Sequence, residues 1–571
     1  MTNPRRASFF AAALSGRMDR RHVLAHGLKL GLATPVITAL MANAPEAAAA
    51  PAPIGARRSS NQEGSGTLTV ISGIDVAELD PHYSYSSRAS LIFLGTYEML
   101  IQYKGSATDQ YDPMLALSWE GNPDGSSYTF SLAPNATFHD GSPCDAQAVK
   151  DSFTRYLLLG AAVADVLKRF VTDPEQMVVV DATTIRFDLG RPQPLFLAAM
   201  ASEYGPFVVN PRVIEANKTE EDPYAHEWMK FNAEGAGTGP YILSENLPGE
   251  RQVLTRFEGY HGGFTGAEFD EVVIRIVPEN ATRRLLIEQG EADALTFDLT
   301  PDDVAAMQDN SDLQILTYDT TRVNWIIMNV PRLVSKEVRL GFSLAYPYSE
   351  TIDGAYKGLM KRSGPLPDTV RGYDPAVYLP QTDLVRAKEL ILSGGFAEGD
   401  TFEYIFTAGD EPERTAAQLF QANLAEMGFT LEIAEVEGGQ QEELIYGDMP
   451  AEEQPHFIGS WAWWPDYNDP YNQFYPNFTE AAQDGGGSNA GDWVNPRFEE
   501  IMVEAATYTD EARLVELMKE AQNILTEQDP PCIYQGQPTY YTILRSDIQG
   551  YFNNPLYLSS YPFYKMSRAV S

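Results

Sequence analysis

The residues best suited to binding chemistry stand in one short run near the end of the chain, residues 461–474, with the sequence WAWWPDYNDPYNQF. The run holds three of the seven tryptophans within four positions, followed at once by Asp466 and Asp469. Aromatic rings offer broad apolar faces, and an acid held between them binds a cation more firmly than it would in open water. Pro-Asp and Asp-Pro steps break helices, so the run is predicted to be a loop that projects from a scaffold. Taken alone, packing of the tryptophans in a core is the simpler interpretation.

Length and composition limit the kinds of protein that need to be considered. A chain of 571 residues is too long for one hydrophobic core, so two or three lobes are expected. An apolar content of 44 % with 11 % aromatic residues excludes a disordered protein. Acidic residues outnumber basic ones by 79 to 41, giving a net charge of −38. This argues against nucleic acid or an anionic membrane surface as partner, because either would need basic patches.

The first fifty residues have the features of an export signal. Arg20-Arg21 precedes a mildly apolar run at 27–41 and a cleavage candidate at 42–44, Ala-Asn-Ala. The arginine pair in this setting resembles the twin-arginine signal, which exports folded proteins, and an ordinary Sec signal is the alternative. We expect residues 1–50 to be the signal, cleaved between about 44 and 50, and residues 51–66 to be a flexible leader. The mature protein is then expected in the periplasm.

Cysteine and histidine usage gives no support for a metal or cofactor site. Cys144 and Cys532 are far apart and each has apolar or proline neighbours, so buried inert thiols are expected, and a disulfide between them is the alternative. None of the seven histidines is paired at metal-ligand spacing. No metal and no cofactor are therefore expected.

The elements that must position the aromatic and acidic run alternate between helices and strands. A strand is predicted at 67–71, and helices are predicted after Asp145, after Thr300 and over 383–393. A strand with alternating apolar residues is predicted at 429–433, directly after an apolar helical stripe. Repeated helix–turn–strand units indicate α/β architecture.

Several short blocks follow one another along the chain in a fixed order. They are Asp80-Pro81-His82, Tyr97-Glu98, Leu115-Ala116-Leu117-Ser118-Trp119-Glu120, Tyr128-Thr129-Phe130, Phe138-His139-Asp140-Gly141, Gly237-Thr238-Gly239-Pro240-Tyr241, Arg256-Phe257-Glu258-Gly259-Tyr260, Gly290-Glu291-Ala292-Asp293 and Val338-Arg339-Leu340-Gly341-Phe342. In this order and spacing they resemble the family 5 extracellular solute-binding proteins, the peptide-, dipeptide- and nickel-binding group that serves ABC importers.

The resemblance implies a two-lobed α/β periplasmic-binding-protein fold of type II with an extra small inserted lobe. Lobe one would consist of residues 67–100, 206–318 and 537–571. Lobe two, residues 101–205, would be inserted in it, and lobe three, residues 319–536, would close over the cleft. The protein is expected to be a monomer.

The resemblance also gives the opening run a position in the cleft. Asp466 takes the place of the family's aspartate that pairs with the α-ammonium of a peptide ligand. Trp461, Trp463 and Trp464 would wall the pocket or stack on ligand side chains, and Tyr467 is a further candidate for ligand contact. Strand alternation places Trp461 and Trp463 on one face and Trp464 on the opposite one, so at least one of the three is expected in the core. A structural role in packing is the alternative for each aromatic residue.

Three further residues are candidates for ligand contact. Arg371 has the charge to meet a ligand carboxylate, Tyr83 follows the Asp80-Pro81-His82 block, and Asn324 lies at the expected crossing into lobe three. For each of the three, a structural role is the alternative.

The leading hypothesis is a non-catalytic receptor that captures a peptide between its lobes and delivers it to the permease of an ABC importer. A binder of oligosaccharides, opines or other amines on the same fold is the first alternative, since an aromatic wall with one acid also suits a sugar ring. A secreted hydrolase is the second. The sequence has no Gly-x-Ser-x-Gly elbow and no His-Glu-x-x-His, so no enzymatic activity is expected.

Overall fold

The computed structural model describes residues 66–569, apart from 297–298, 448, 484–486, 507, 509 and 559. The expected export signal and the leader up to residue 65 lie outside the described residues. The chain divides into two units, Met1–Gln62 and Glu63–Ser571, and all described residues belong to the second.

The strands have the following bounds: β1 Thr67–Ser72, β2 Ile101–Tyr103, β3 Tyr111–Pro113, β4 Ala116–Gly121, β5 Ser127–Leu132, β6 Met177–Asp181, β7 Thr184–Asp188, β8 Tyr241–Leu247, β9 Arg251–Arg256, β10 Glu271–Ile276, β11 Ala294–Leu295, β12 Leu313–Asp319, β13 Val323–Met328, β14 Met360–Lys361, β15 Thr401–Thr407, β16 Thr430–Val436, β17 Phe457–Trp463, β18 Cys532–Arg545, β19 Ile548–Gln549 and β20 Ser567–Arg568.

The α-helices have the following bounds: α1 Ser90–Thr96, α2 Ala146–Leu159, α3 Asp165–Lys168, α4 Phe196–Met200, α5 Pro211–Asn217, α6 His226–Met229, α7 Asn280–Glu288, α8 Pro301–Met307, α9 Lys336–Ala345, α10 Tyr348–Glu350, α11 Leu384–Ser393, α12 Glu411–Glu426, α13 Gly438–Tyr446, α14 Pro470–Phe478, α15 Pro496–Ala505 and α16 Glu511–Asn523. Two π-helical turns extend α10 and α16, over Thr351–Ala355 and Ile524–Gln528.

A twelve-stranded mixed sheet carries the order β16-β15-β17-β13-β18-β11-β1-β10-β9-β8, with β12 and β14 also paired to β18. β18 connects its two halves, because residues 532–536 pair with β13 and residues 539–545 pair with β12. At the end of the first stretch, a Cβ atom on Gly536 would lie 2.4 Å from the carbonyl oxygen of Lys361, so only glycine fits there.

A second sheet is antiparallel, with four strands in the order β4-β5-β7-β6, and α2 packs beside it. The predicted helix after Asp145 is confirmed as α2, and the Asp145 carboxylate accepts a hydrogen bond of 2.9 Å from the backbone N–H of Ala148. Val149, Phe153 and Tyr156 on this helix are buried. The helical spacing of these apolar residues therefore identified the face of α2 that packs against the core.

Other local predictions are also confirmed, because they rest on capping chemistry that the fold does not override. Thr300 caps α8 by accepting from the backbone N–H of Asp303, with a proline at the first position of the helix. Asp383 caps α11 in the same way. The predicted strand at 429–433 is β16, and helices pack beside both sheets, as expected for an α/β fold.

The prediction of a projecting loop at 461–474 is wrong at both ends. Residues 461–463 are the last three of β17, and α14 begins at Pro470. Asp469 is the N-cap of α14 and accepts from the backbone N–H of Tyr471 at 2.8 Å. An Asp-Pro step therefore starts a helix here, since proline is favoured at the first helical position. Only residues 464–469 form the connection.

Cys144 and Cys532 are both buried free thiols, as predicted. Within the part of the chain that the structure describes, no helix is long and apolar enough to cross a membrane.

Candidate functional site

A cavity of about 270 Å³ lies where β17 ends. Two of its lining residues come from the first 204 positions of the chain, and the other eight come from 322–466. The lining residues are Tyr85, Tyr204, Arg322, Tyr446, Ser460, Trp461, Ala462, Trp463, Trp464 and Asp466. The structure therefore brings three sequence-predicted residues together at one cavity, namely Trp461, Trp463 and Asp466.

A local irregularity in β17 precedes the tryptophans. Ser460 has a left-handed backbone with φ of 52°, and the pairing of β13 with β17 shifts register beside it. The Ser460 hydroxyl donates to the carboxylate of Asp410 at 2.9 Å and accepts from the backbone N–H of Thr407 at 3.2 Å. A non-glycine residue in this conformation costs free energy, and such bulges re-aim the side chains that follow.

Asp466 is buried, with 7 % of its surface exposed. Its carboxylate accepts a hydrogen bond of 2.6 Å from the Tyr85 hydroxyl and one of 2.9 Å from the Asn472 amide. Burial raises the pKa of the Asp466 carboxyl to about 6, although these two hydrogen bonds act in the opposite direction. Among the described residues, no lysine, arginine or histidine forms an ion pair with it. A cation entering this cavity would meet a desolvated carboxylate with no competing partner.

All three tryptophans line the cavity, and each is partly buried. The Trp463 indole N–H donates to the carbonyl of Asn472 at 3.1 Å, and that of Trp464 donates to the Tyr204 hydroxyl at 3.3 Å. The expectation that Trp464 faces away from the other two is wrong, because β17 ends at Trp463 and strand alternation stops there.

A second cavity, of about 480 Å³, adjoins the first through Arg322, which lines both. The Arg322 guanidinium donates to Asn324 at 2.9 Å and to the Tyr540 hydroxyl at 2.8 Å, and it lies 5.6 Å from the ring centre of Trp464. Asn324 lines this second cavity and also donates to the Tyr356 hydroxyl at 3.3 Å. No carboxylate among the described residues forms an ion pair with Arg322.

Arg371 does not reach either cavity. Its guanidinium forms ion pairs with Asp469 at 3.1 Å and with Glu511 at 3.2 Å, and it also donates to the Tyr508 hydroxyl. Asp469 is fully buried, so the pair anchors the start of α14. The structure gives Arg371 this structural role.

Tyr467 and Tyr83 also lie outside both cavities. The Tyr467 side chain is 2 % exposed, and its hydroxyl accepts from Arg169 at 3.0 Å. Tyr83 is 46 % exposed and stacks on His226 with ring centres 3.9 Å apart. Neither side chain lines the cavity beside Asp466 and the tryptophans.

Sequence reasoning missed Tyr85, Tyr204 and Arg322, which complete the lining around Asp466. It also missed Glu203, a fully buried acid that accepts from the Ser90 hydroxyl at 2.6 Å. Burial raises the pKa of Glu203 to about 8, and the nearby Asp466 charge contributes to the rise. The side chain is thus mostly protonated at neutral pH, and Asp466 is the one carboxylate among the described residues that line the first cavity.

No group of three or more histidine, cysteine, aspartate or glutamate side chains within the described ranges is placed to hold a metal ion. The site offers one carboxylate, one guanidinium and an aromatic wall. Such a set can bind a ligand that carries both charges.

Comparisons with known proteins agree with this chemistry. The model for bacterial extracellular solute-binding proteins, family 5 (middle), matches residues 110–485. The probable D,D-dipeptide-binding periplasmic protein of Escherichia coli K12 is 26 % identical over 505 residues, covering 86 % of this chain and 92 % of the relative. The dipeptide-binding protein of the same organism is 26 % identical over 483 residues, covering 81 % and 87 %.

Solved structures share the fold. A periplasmic binding protein of Helicobacter pylori, in complex with the peptide STSA, superposes with a TM-score of 0.75 at 22 % identity. The match covers 89 % of this chain and 98 % of that chain. The α/β periplasmic-binding-protein fold expected from the sequence is confirmed by this similarity. The structure has, in addition to the large sheet, the small antiparallel sheet β4-β5-β7-β6.

Proposed function

Because the chain belongs to family 5 of the bacterial extracellular solute-binding proteins, we propose that it is the receptor of an ABC importer and that its ligand is a short peptide. Members of such a family bind ligands and do not transform them. The names of two relatives, both dipeptide-binding proteins, support a peptide as ligand. We propose that it works in the periplasm as a monomer and passes its ligand to the membrane subunits of a permease.

The observation that carries the proposal is Asp466, a buried carboxylate without an ionic partner at the wall of a tryptophan-lined cavity. An enclosed ammonium needs a counter-charge and hydrogen-bond acceptors, and this carboxylate supplies both. A free peptide amino terminus fits that requirement. Trp461 and Trp463 would cover the first side chain of the peptide, since aromatic faces pack well against apolar groups.

Arg322 replaces Arg371 as the proposed partner of the ligand carboxylate. Its guanidinium lies between the two cavities and has remaining donors after its bonds to Asn324 and Tyr540. A peptide with its ammonium at Asp466 would bring its acidic end toward Arg322. Asn324, which accepts from Arg322, would fix the plane of the guanidinium.

The proposed lobes are residues 67–100, 206–318 and 537–571 for lobe one, 101–205 for lobe two and 319–536 for lobe three. Hydrophobic clusters support the separation of lobe three from the other two lobes, because two of them draw only on residues 323–534. A further cluster is built from residues 68–294 and 544–566, with Tyr467 added. Closure of lobe three would then bring Asp466 to Tyr85.

A binding screen tests the proposal. Dipeptides, tripeptides and oligosaccharides are titrated into the mature protein, and tryptophan fluorescence is followed because three indoles line the cavity. We expect saturable binding of short peptides with a free amino terminus. Binding of oligosaccharides alone would indicate a sugar ligand that is recognised by the aromatic wall. Turnover of a bound peptide would indicate an enzyme.

A further inference from the structure

A third cavity, of about 600 Å³, is built from three separate segments, 94–135, 240–262 and 552–565. Within the described residues it shares no lining residue with the two cavities that meet at Arg322. Folded interiors pack densely and leave few voids, so a cavity of this size is a candidate binding site in its own right.

The walls of this cavity are tied together across the fold. The Asn554 amide donates to the carbonyls of Gly105 at 2.8 Å and of Ala107 at 2.9 Å, which joins the C-terminal segment to the turn between β2 and β3. His261, 7 % exposed, pairs with the fully buried Glu98 at 2.9 Å. These buried polar contacts fix the walls relative to one another, so the space is preformed.

Tyrosines make up much of the lining, but their hydroxyls are already used within the protein. Tyr103 donates to the carbonyl of Ala198 at 3.3 Å, and Tyr557 donates to that of Ala201 at 2.7 Å. The same holds for Tyr260, which donates to Glu98 at 3.2 Å, and for Tyr564, which donates to Gly263 at 2.7 Å. What remains for a ligand is the apolar faces of these rings.

Apolar neighbours complete this surface. Leu94, Met114, Phe552 and Phe563 also line the cavity. Phe552 is 38 % exposed, so an aromatic ring is open to solvent at this site. An apolar body of a ligand would be better buried here than the many hydroxyls of a sugar, whose hydrogen bonds the tyrosines cannot satisfy.

The charges at the cavity favour an anionic head group. Lys104 and Lys565 both line it and both are exposed, and neither forms an ion pair among the described residues. Asp112 is the one acidic lining residue. These three side chains give the cavity a positive local charge, whereas the whole chain has a net charge of −38.

We propose that this cavity binds an amphipathic monocarboxylate, with its aliphatic body against the tyrosine faces and its carboxylate at Lys104 and Lys565. A medium-chain fatty acid has this chemistry. The site is separate from the peptide site, so the protein would carry two ligands of different classes at once.

Calorimetric titration of the mature protein with dodecanoate tests this proposal. We expect one saturable site, no comparable binding of acetate, which lacks the body, and unchanged binding in Asp466→Asn. The double variant Lys104→Glu/Lys565→Glu should weaken dodecanoate binding about tenfold, because two exposed ion pairs are lost. Lys336→Glu/Lys519→Glu is the matched control, since it changes two exposed lysines outside the cavity and gives the same net charge.

Several outcomes would overturn the proposal. Absence of saturable dodecanoate binding would do so, as would equal weakening in both double variants, which would indicate a general charge effect. Competition between dodecanoate and a bound peptide would place the fatty acid in the cleft instead. Equal affinity for octyl glucoside, a neutral amphiphile, would show that the two lysines do not contribute to binding.

Discussion

The hydroxyl of Tyr85 donates a hydrogen bond of 2.6 Å to the carboxylate of Asp466, which lies 381 positions further along the chain. The bond connects the segment before α1 with the connection between β17 and α14. Both residues line the cavity, so this contact couples the shape of the site to the ionisation state of its carboxylate.

The first prediction follows from that ionisation. Burial raises the pKa of Asp466 to about 6, and only the ionised form can pair with a ligand ammonium. Affinity for a free dipeptide should therefore fall by up to about tenfold per pH unit below pH 6, since one proton must leave on binding. Isothermal titration between pH 4.5 and 8, in buffers of different ionisation enthalpy, measures both affinity and proton release.

Tyr85→Phe sharpens this test. The Tyr85 hydroxyl stabilises the ionised carboxylate, so its removal should raise the pKa of Asp466. The acid limb of the profile, which is the fall of affinity at low pH, should then move to higher pH. Tyr83→Phe is the matched control, because Tyr83 is exposed and stacks on His226 outside the cavity. Glu203→Gln removes another nearby acid, whose pKa is raised to about 8 by burial, and should leave the acid limb in place. A flat profile in the unmodified protein would contradict the role of Asp466.

Arg322→Gln tests the proposed carboxylate partner. Loss of the guanidinium should lower affinity for a free dipeptide by about tenfold or more, because hydrogen bonds to charged groups contribute about 1.5–3 kcal/mol each. The C-terminal amide of the same dipeptide lacks the negative charge and should bind both proteins alike. Arg371→Gln is the control, and it should leave the ratio of acid to amide affinity unchanged. If Arg371→Gln, and not Arg322→Gln, altered that ratio, the assignment would be reversed.

Asp469→Asn should act on stability. Asp469 is fully buried, caps α14 and pairs with Arg371 at 3.1 Å. Loss of the charge should lower the free energy of unfolding by about 2 kcal/mol, from the weakened cap and the buried pair together. Chemical denaturation measures this change. Peptide affinity, measured well below the melting temperature, should change little, and a large loss of affinity at intact stability would place Asp469 in the site.

Export through the twin-arginine route is the fourth prediction. Arg20-Arg21 stands before a weakly apolar run, the arrangement that such signals share. Replacing both arginines by lysine keeps the charge and should leave the precursor in the cytoplasm, as followed by cell fractionation. Unchanged export would indicate the Sec route.

Local chemistry made much of the fold predictable. Asp145 and Thr300 cap the helices that follow them, and both signals can be read within four residues. The prediction of a loop at 461–474 is wrong because an Asp-Pro step can interrupt a helix and can equally begin one. Only the fold shows that Asp469 begins α14.

The site was predictable only in part. Asp466 and three tryptophans stand together in the sequence, whereas Tyr85, Tyr204 and Arg322 reach them because the fold brings distant segments together. Arg371 is a similar case, since its partner Asp469 follows 98 positions later. Contacts over such separations leave no periodic pattern in the sequence, so an arginine that looks available can already be paired.

The most direct test of the account compares Asp466→Asn with the unmodified protein, using the tightest-binding free dipeptide and its N-acetylated form. An unpaired buried ammonium costs about 2–5 kcal/mol at an interface, so the substitution should lower affinity for the free dipeptide by about 30-fold or more. The N-acetylated peptide has no ammonium, so it should bind the unmodified protein weakly and respond little to the substitution. Equal, mild effects of Asp466→Asn and Asp469→Asn on peptide affinity, with the thermal stability of Asp466→Asn intact, would contradict the ammonium role and leave recognition to the tryptophans.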